Sequence, residues 1–323
     1  MASPNLSDIV ATTLRNRSAK LADSVTKNNA ILLRLKEKGK IRPVSGGRTI
    51  VQEIEHTENS TFMFYSGYEA LNIAPSEVIS AAEFDYKQAA VAVSISGLEQ
   101  LQNSGREAII DLLEARIGNA ERTMANNIAG GLYSDGTGSS GKQIGGLQLL
   151  VADNPASGVV GNINRATWPF WRNVAFDATT DGGSAVTSAN IQTYMNAVYV
   201  QLVRGNESPD LILADNNYFK AYLGSLQAIQ RITSDKMASA GFTSLKYMNA
   251  DVVLDGGVGG ACPTNHMYSL NSEYIHYRPH RDRNMVPLDP DRFSTNQDAM
   301  VKLIGWAGNM TLSNGSVHGV LKD

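Results

Sequence analysis

IGGLQLLVADNPASGVVGNINRATWPFWRN, residues 144–173, is the stretch that says most about the fold of this chain. It holds two of the three tryptophans, and glycines and an Asn-Pro pair punctuate it with turn signals. Its only charged residues are Asp153, Arg165 and Arg172, and it contains no histidine or cysteine. Such a block can build a compact, turn-rich part of a fold, but it offers few side chains for catalysis.

Two further blocks flank this stretch: GGLYSDGTG at residues 130–138 and PDLILADNNYFKAYLGSLQ at residues 209–227. Together the three blocks resemble the sequences of tailed-bacteriophage major capsid (head) proteins with the Hong Kong 97-type fold. The resemblance extends over most of the chain from about Arg48 onward. The shared blocks carry no catalytic signature, so the resemblance implies a role in building a shell and no chemistry.

The resemblance implies a particular domain organisation. The expected fold is α+β, with an N-terminal arm, an extended β-hairpin loop, a long spine helix in a peripheral domain, and a central axial domain. The arm would span residues 1–46 and the extended loop residues 47–95. The peripheral domain would comprise residues 96–140 and 266–312, the axial domain residues 141–265, and a C-terminal tail residues 313–323.

The same resemblance implies a function and a set of partners. The chain would be a structural protein, not an enzyme, that self-assembles into hexamers and pentamers of an icosahedral head enclosing double-stranded DNA, without sequence specificity. The other expected partners are a portal protein, a decoration protein and a separate scaffolding protein, since no scaffold segment precedes the arm unless the chain is a processed form. The expected location is the virion, after assembly in the host cytoplasm. No cofactor, metal or membrane is expected.

Composition is compatible with this expectation. The chain has 323 residues, of which 42% are hydrophobic and 18% charged. Charged residues are below the usual quarter, which fits a surface largely covered by partners. The net charge of −3 argues against a dedicated nucleic-acid binder, which is usually strongly basic. One cysteine excludes an intramolecular disulfide framework, and neither a membrane span nor a signal peptide is recognisable.

Charge is unevenly distributed along the chain. Residues 1–50 carry ten lysines and arginines against three acids, a net +7, and residues 51–100 carry one lysine against eight acids, a net −7. Two interpretations of the basic run on the arm stay open. It is either a solvated face or a docking strip whose positive potential meets the acidic segment, within the chain or between neighbouring copies. The candidate inter-subunit contacts in this run are Arg34, Lys36, Lys38 and Lys40.

The extended loop carries a second set of candidate contacts. Residues 47–56 and 84–95 alternate as strands, with about 27 residues between them that show no good helical pattern. A hairpin of two strands cannot bury both of its faces. Its tip either folds back on its own domain or lies on an adjacent subunit. In the second case the contacts would be made by four aromatic residues of the tip: Phe62, Phe64, Tyr65 and Tyr68.

The periodicity of apolar residues predicts the remaining elements. Apolar residues spaced three and four apart predict one long helix over residues 104–132, opened by a capping box at Ser104 and Glu107. Further helices are predicted at residues 190–204 and after Asp215, and strands at residues 211–214, 252–254, 267–277 and 300–312. Helices and strands interleave without a strict βαβ rhythm, which favours an α+β fold with mixed sheets.

Motifs that could carry chemistry are weak. Residues 136–142 match the G-x-x-x-x-G-K part of a phosphate-binding loop, but Gln143 stands where Ser or Thr should bind magnesium, and a helix precedes the motif instead of a strand. No serine lies in a Gly-x-Ser-x-Gly elbow. Four residues have a spacing that superficially resembles a zinc site, although Pro279 and the strand-like sequence between the two pairs argue against it: Cys262, His266, His276 and His280.

One patch and one alternative function stay open. Residues 276–283, HYRPHRDR, are the most basic short patch outside the arm, and they suit contact with nucleic acid as well as contact with another subunit. The alternative to the capsid interpretation is a soluble α+β enzyme or ligand-binding protein whose motifs are not recognisable. The lack of any convergent polar constellation counts against that alternative.

Overall fold

The structure, a computed structural model, describes residues 29–98, 106–226, 244–256, 260–293 and 299–323. These residues form a mixed α+β arrangement with a two-stranded hairpin, a three-stranded sheet, a six-stranded sheet and a small two-stranded ribbon. One buried cluster joins the base of the hairpin, the long helix and the three-stranded sheet. A second lies between two helices and the six-stranded sheet. No helix among the described residues has both the length and the apolar character that crossing a membrane requires.

In chain order the elements are α1 (Ala30–Glu37), β1 (Ile50–Glu55), β2 (Ile79–Phe84), β3 (Lys87–Ser96), α2 (Arg106–Gly131), α3 (Leu147–Leu150), β4 (Val159–Val160), β5 (Ile163–Asn164), β6 (Val174–Asp177), α4 (Ile191–Leu202), β7 (Leu211–Ala214), α5 (Asn216–Ser225), β8 (Ser244–Tyr247), β9 (Ala250–Leu254), β10 (His266–Leu270), β11 (Ile275–Phe293), β12 (Ala299–Leu312) and β13 (Gly319–Lys322).

Helix α1 shows that the last part of the predicted arm is packed into the fold. The Asn29 side chain accepts hydrogen bonds from the amides of Ile31 and Leu32 at 3.0 and 3.2 Å, which satisfies two donors that a helix start leaves free. Gly39 follows the helix in the left-handed region, with φ +66°, a common way to end a helix. The apolar face of α1 is buried in the first core cluster.

Helix α2 is the predicted long helix. Its 26 residues correspond to a length of about 39 Å at 1.5 Å per residue. The capping box predicted at Ser104 lies outside the described residues. The predicted apolar stripe is buried along the second half of the helix and just beyond it, at Ile117, Ala120, Met124, Ile128 and Leu132.

The hairpin differs from the prediction in its second strand. β1 pairs antiparallel with β2, from Ile50 opposite Phe84 to Glu55 opposite Ile79. The sequence analysis placed the returning strand at residues 84–95 instead. The chain turns at residues 85–86, and β3 pairs with β12 in a three-stranded antiparallel sheet of order β11-β12-β3. This pairing places one edge of β3 on a larger sheet and packs α2 against it, which gives β3 burial that an isolated ribbon cannot provide.

The tryptophan-rich stretch is a compact unit held by its own backbone. The buried Trp171 indole donates from Nε1 to the Val160 carbonyl at 3.0 Å. The buried Arg165 guanidinium donates to the carbonyl of Leu149 at 2.9 Å and to that of Leu150. These two buried side chains therefore donate to backbone carbonyl groups of their own stretch, as buried polar groups generally require a partner.

This unit also supports the hairpin. The Glu83 amide donates to the Gly161 carbonyl at 3.0 Å. Gly161 has φ +58°, and a Cβ there would lie 2.8 Å from the Cβ of Ala82 and 3.0 Å from the ring of Phe84. Only glycine fits this approach, so the inner face of the hairpin lies directly on the tryptophan-rich unit.

The six-stranded sheet has the order β6-β13-β10-β7-β9-β8. As predicted, Asp215 caps α5, accepting from the Tyr218 amide at 2.9 Å. The strand predicted over residues 267–277 is divided into β10 and β11, because Asp210 fixes a turn between them by accepting from the Ser272 amide at 2.8 Å. The segment after residue 312, predicted as a tail, contains β13, which pairs between β10 and β6.

Gly146 and Gly118 form a matched pair for testing the packing at the end of α2. A Cβ at Gly146 would clash with the backbone carbonyl of Leu132, whereas a Cβ at Gly118, inside α2, meets nothing within 4 Å. We expect Gly146→Ala to lower the free energy of unfolding by about 1–3 kcal/mol through overpacking. Gly118→Ala should raise it by up to ~1 kcal/mol. Denaturant unfolding of the two variants measures this difference, and equal stabilities would contradict the close approach at Gly146.

Candidate functional site

The first of the predicted basic contact residues, Arg34, is part of the interior. It is 8% exposed, and its guanidinium forms an ion pair with Asp251 of β9. A second ion pair joins Arg34 to Glu37 at 3.5 Å. A buried charge requires a partner of opposite charge, so Arg34 fixes α1 to the six-stranded sheet.

Lys38 and Lys40 also have acidic partners in their own chain. Their ammonium nitrogens lie 3.3 and 2.7 Å from the carboxylate of Glu273, and Lys38 lies 4.0 Å from Asp210. The hydrogen bond from Lys40 holds the pKa of Glu273 below its usual value. The sequence analysis missed these partners because they lie far along the chain. Lys36 is exposed, and a role of the four basic residues between subunits stays a prediction.

The aromatic tip lies in the segment between β1 and β2, which has no helix or strand. Phe62 is 77% exposed, Phe64 91%, Tyr65 63% and Tyr68 108%. Phe62 and Phe64 meet edge to face, with ring centroids 5.2 Å apart. The four rings are thus presented at the end of the hairpin and are not buried against the described part of their own chain. Their contact with an adjacent subunit stays a prediction.

The outer face of the hairpin, defined here as Val51, Glu53, Glu55, Ile79 and Glu83, is also exposed. Burial alternates along β1, so its acidic residues point away from the core. Val51 lies opposite Glu83, and Glu55 lies opposite Ile79. None of the three carboxylates forms an ion pair within the part of the chain that the structure describes. This face therefore combines apolar side chains with acidic groups that lack counter-charges.

The phosphate-loop motif forms a tight turn after α2. Ser139 and Ser140 have φ of 53° and 59°, in the left-handed region. The Gly141 carbonyl accepts a hydrogen bond from Nζ of Lys87 at 2.6 Å. Because a helix, not a strand, leads into the turn, it lacks the strand-loop-helix geometry that cradles phosphate groups.

The residues with zinc-like spacing have separate partners. The His266 ring lies 3.1 Å from the carboxylate of Asp153, and the Cys262 thiol lies 3.7 Å from the His266 carbonyl, with burial raising the pKa of the thiol. His276 is buried, which lowers its pKa to about 4, and His280 packs edge-on against a tyrosine. Among the residues described, no three His, Cys, Asp or Glu side chains are grouped to hold a metal ion.

By sequence, the chain matches no family model and no curated protein. By structure, it is similar to the Cyanophage A-1(L) capsid asymmetric unit, with a TM-score of 0.64 and 16% identity over 88% of this chain and 90% of that one. It is similar to a structure from Gordonia phage Cozz, with a TM-score of 0.55 and 13% identity over 89% and 85%. It is also similar to the capsid of Myoviridae phage XM1, with a TM-score of 0.51 and 12% identity over 88% and 90%. At these identities the likeness establishes the fold, and it confirms the predicted α+β capsid fold.

The Arg34–Asp251 ion pair allows folding to be measured separately from any contact between subunits. We expect Asp251→Ala to leave the buried Arg34 guanidinium with only the more exposed Glu37 at 3.5 Å and to lower the free energy of unfolding by up to about 3–5 kcal/mol. Lys38→Ala, which removes more exposed ion pairs, should cost less than about 1 kcal/mol. Circular dichroism during denaturant unfolding of the unassembled chain measures both. An Asp251→Ala variant as stable as the parent chain would show that this pair does not anchor α1.

Proposed function

We propose that this chain is the major capsid protein of a tailed bacteriophage, a structural protein without enzymatic activity that self-assembles into hexamers and pentamers of an icosahedral head. The observation that carries the proposal is the β1–β2 hairpin, whose aromatic tip is exposed and whose outer-face carboxylates form no ion pair in the described part of the chain. A fold alone does not identify a function. The hairpin supplies the reason to expect further copies, and the similarity to two capsid structures supports the same conclusion.

The energetics of the tip favour a bound partner. Burying four aromatic rings would contribute roughly 6–12 kcal/mol before costs, at about 1.5–3 kcal/mol each. Ordering and association take back a large part of that gain. A contiguous exposed apolar patch on a soluble protein is an interaction site or an aggregation hazard. If the tip docks on a neighbouring copy, its exposed rings become buried and the contact stabilises the shell.

The proposal extends to location and partners. The protein would reside in the virion after assembly in the host cytoplasm, with a portal protein, a separate scaffolding protein and a decoration protein as further partners. It would enclose double-stranded DNA without sequence specificity. The net charge of −3 agrees with this role, because a dedicated nucleic-acid binder is usually strongly basic. We also retain the peripheral and axial division predicted from the sequence, with β10 and β13 assigned to the axial domain because they pair within the six-stranded sheet.

Assembly state tests the proposal against the alternative of a soluble enzyme or ligand-binding protein, which no observation on the described residues favours. The purified chain is analysed by size-exclusion chromatography and electron microscopy over a range of concentrations. Capsomers or closed shells support the capsid function. A clean, stable monomer at every concentration would contradict it.

The aromatic tip gives a sharper prediction. We expect Phe62→Ser together with Phe64→Ser to leave the circular dichroism spectrum and melting temperature of the unassembled chain unchanged, because these rings are exposed. The same double change should block or strongly weaken assembly, because the apolar contact is lost. Val200→Ser on α4 is a matched control, since Val200 is also an exposed apolar residue. If the double variant fails to fold, the tip belongs to its own core and the prediction is wrong.

The last prediction of this section concerns covalent strengthening. Some capsid proteins of the family that the sequence resembles join a lysine of the extended loop to an asparagine of a neighbour. Such a lysine must be desolvated to lose its proton. Here residues 51–86 contain no lysine, and Lys87 is held by the Gly141 carbonyl at 2.6 Å. We therefore expect no cross-link formed by the chain's own residues.

Boiling assembled heads in denaturing detergent checks this expectation. It should release a single band at the chain mass of 34.8 kDa. A ladder of dimers, pentamers and hexamers that survives reducing agent would contradict it, and Lys87→Ala would then show whether Lys87 is the nucleophile.

A further inference from the structure

The fold brings together two basic segments that are distant in the sequence. Residues 40–44, at the end of the arm, run parallel to β11: the Arg42 amide donates to the Tyr277 carbonyl at 3.0 Å, and the Arg281 amide donates to the Val44 carbonyl at 2.8 Å. This pairing places the end of the arm beside the basic patch HYRPHRDR. Four arginines of the two segments form what we call the cationic ledge: Arg42, Arg278, Arg281 and Arg283.

The cationic ledge lacks counter-charges. Within the described residues, the Arg42 side chain forms no ion pair or hydrogen bond, and Arg278 donates only to a neutral partner, Oε1 of Gln52, at 2.7 Å. Nε of Arg278 is buried without an acceptor. Burial, and then the charge of Arg42, lower the pKa of Arg278. Asp282 is the only acid in residues 276–283, so the fold holds like charges side by side, an arrangement that an anionic partner would stabilise.

The basic residues in and just after α1 are in the opposite situation. Arg34 is paired with Asp251, and Lys38 and Lys40 are paired with Glu273. No arginine of the cationic ledge forms such an ion pair among the described residues, so the ledge is the better candidate of the two basic segments for an external acidic group.

The outer face of the hairpin carries matching negative charge, but it cannot reach the ledge of its own chain. Gln52 points toward that ledge and contacts Arg278. Successive residues of a strand point to opposite sides, so Glu53 points away from the ledge. The exposed pattern of β1 places Glu55 on the same outward side as Glu53. These exposed carboxylates are therefore available to a cationic surface on another molecule.

We propose that the outer face of the β1–β2 hairpin of one copy docks on the cationic ledge of a second copy. The proposal rests on the proposed function, because it names which surfaces meet when copies assemble. Charge complementarity supports it: acids without counter-charges on one side, arginines without counter-charges on the other. Exposed Val51 and Ile79 supply apolar contact beside the charges. Phosphate groups of DNA are the competing occupant of the ledge, and the experiment separates the two.

A charge-swap experiment tests the docking. One variant carries Arg281→Glu and Arg283→Glu, both exposed ledge residues, and a second carries Glu53→Lys and Glu55→Lys. A third combines all four changes. The control is Lys220→Glu, a reversal of an exposed lysine on α5. Assembly is followed by light scattering and electron microscopy without nucleic acid, and melting temperatures of the unassembled chains confirm folding.

We expect each double reversal to lower the assembled fraction by about tenfold or more, because like charges then face each other. The combined variant should recover most of the loss, and Lys220→Glu should assemble like the parent chain. Recovery in the combined variant would also exclude misfolding as the cause of the lost assembly, because reversing charges on one segment does not repair a folding defect in another.

Three outcomes would overturn the inference. The first is normal assembly of either double reversal. The second is loss of assembly in both without recovery in the combined variant, which would show that the two surfaces do not meet. The third is normal assembly of the ledge variant with weakened binding of duplex DNA, which would make the ledge a phosphate contact. A parent chain that never assembles would instead contradict the proposed function itself.

Discussion

A ribbon of two strands cannot bury both of its faces, and much of this structure follows from that constraint. The inner face of the β1–β2 hairpin, with Ile54 and Phe84 buried, rests on the tryptophan-rich unit, where Gly161 permits the close approach. The outer face and the tip have nothing in the described chain to cover them. The inner face is also held by the three-stranded sheet, since Arg278 of β11 donates to Gln52 of β1 at 2.7 Å. The outer face and the tip of the hairpin stay exposed.

Polar side chains from distant segments hold this support rigid. Asn309 of β12 accepts from the Gly145 amide at 3.0 Å and donates to the Asp85 carbonyl at 2.8 Å. It thus joins the start of the tryptophan-rich unit to the turn between β2 and β3. The Tyr133 hydroxyl, just after α2, donates to Asp255, just after β9. Burial raises the pKa of that tyrosine, so it remains a hydrogen-bond donor throughout the physiological pH range.

The sequence predicted those elements whose stability is local. The stripe of α2 repeats along one helical face, and the cap at Asp215 acts within three residues, so neither depends on the rest of the chain. The partner of β1 was mispredicted because β2 has only two buried positions, which give little strand signal, whereas β3 alternates over most of its length. The pairing of β3 with β12 leaves β2 to return along β1. The resemblance of three sequence blocks predicted the overall fold class, which no single element determines.

The candidate contact residues also divide into those that the structure leaves exposed and those that it pairs with distant segments. The sequence left open whether the aromatic tip folds back on its own domain, and the structure leaves its four rings exposed. The fate of Arg34 is not foreseeable, because its sequence neighbours make it appear to be one more cation of a solvated run. Only the three-dimensional approach of β9 brings Asp251 to it. A run of basic residues in a sequence therefore shows where the cations are. The fold determines which of them form ion pairs within the chain and which do not.

Apolar and charged contacts would have different tasks in the proposed assembly. Aromatic rings buried at the centre of an interface supply most of its affinity. Opposite charges add little net affinity at an exposed rim, yet they penalise every arrangement that brings like charges together. The hairpin separates these two properties along its length, with aromatic rings at the tip and carboxylates along the outer face of β1 and β2. The tip would therefore determine how strongly neighbouring copies associate. Contact of the outer face with the cationic ledge would determine which of the geometrically possible arrangements forms a closed shell.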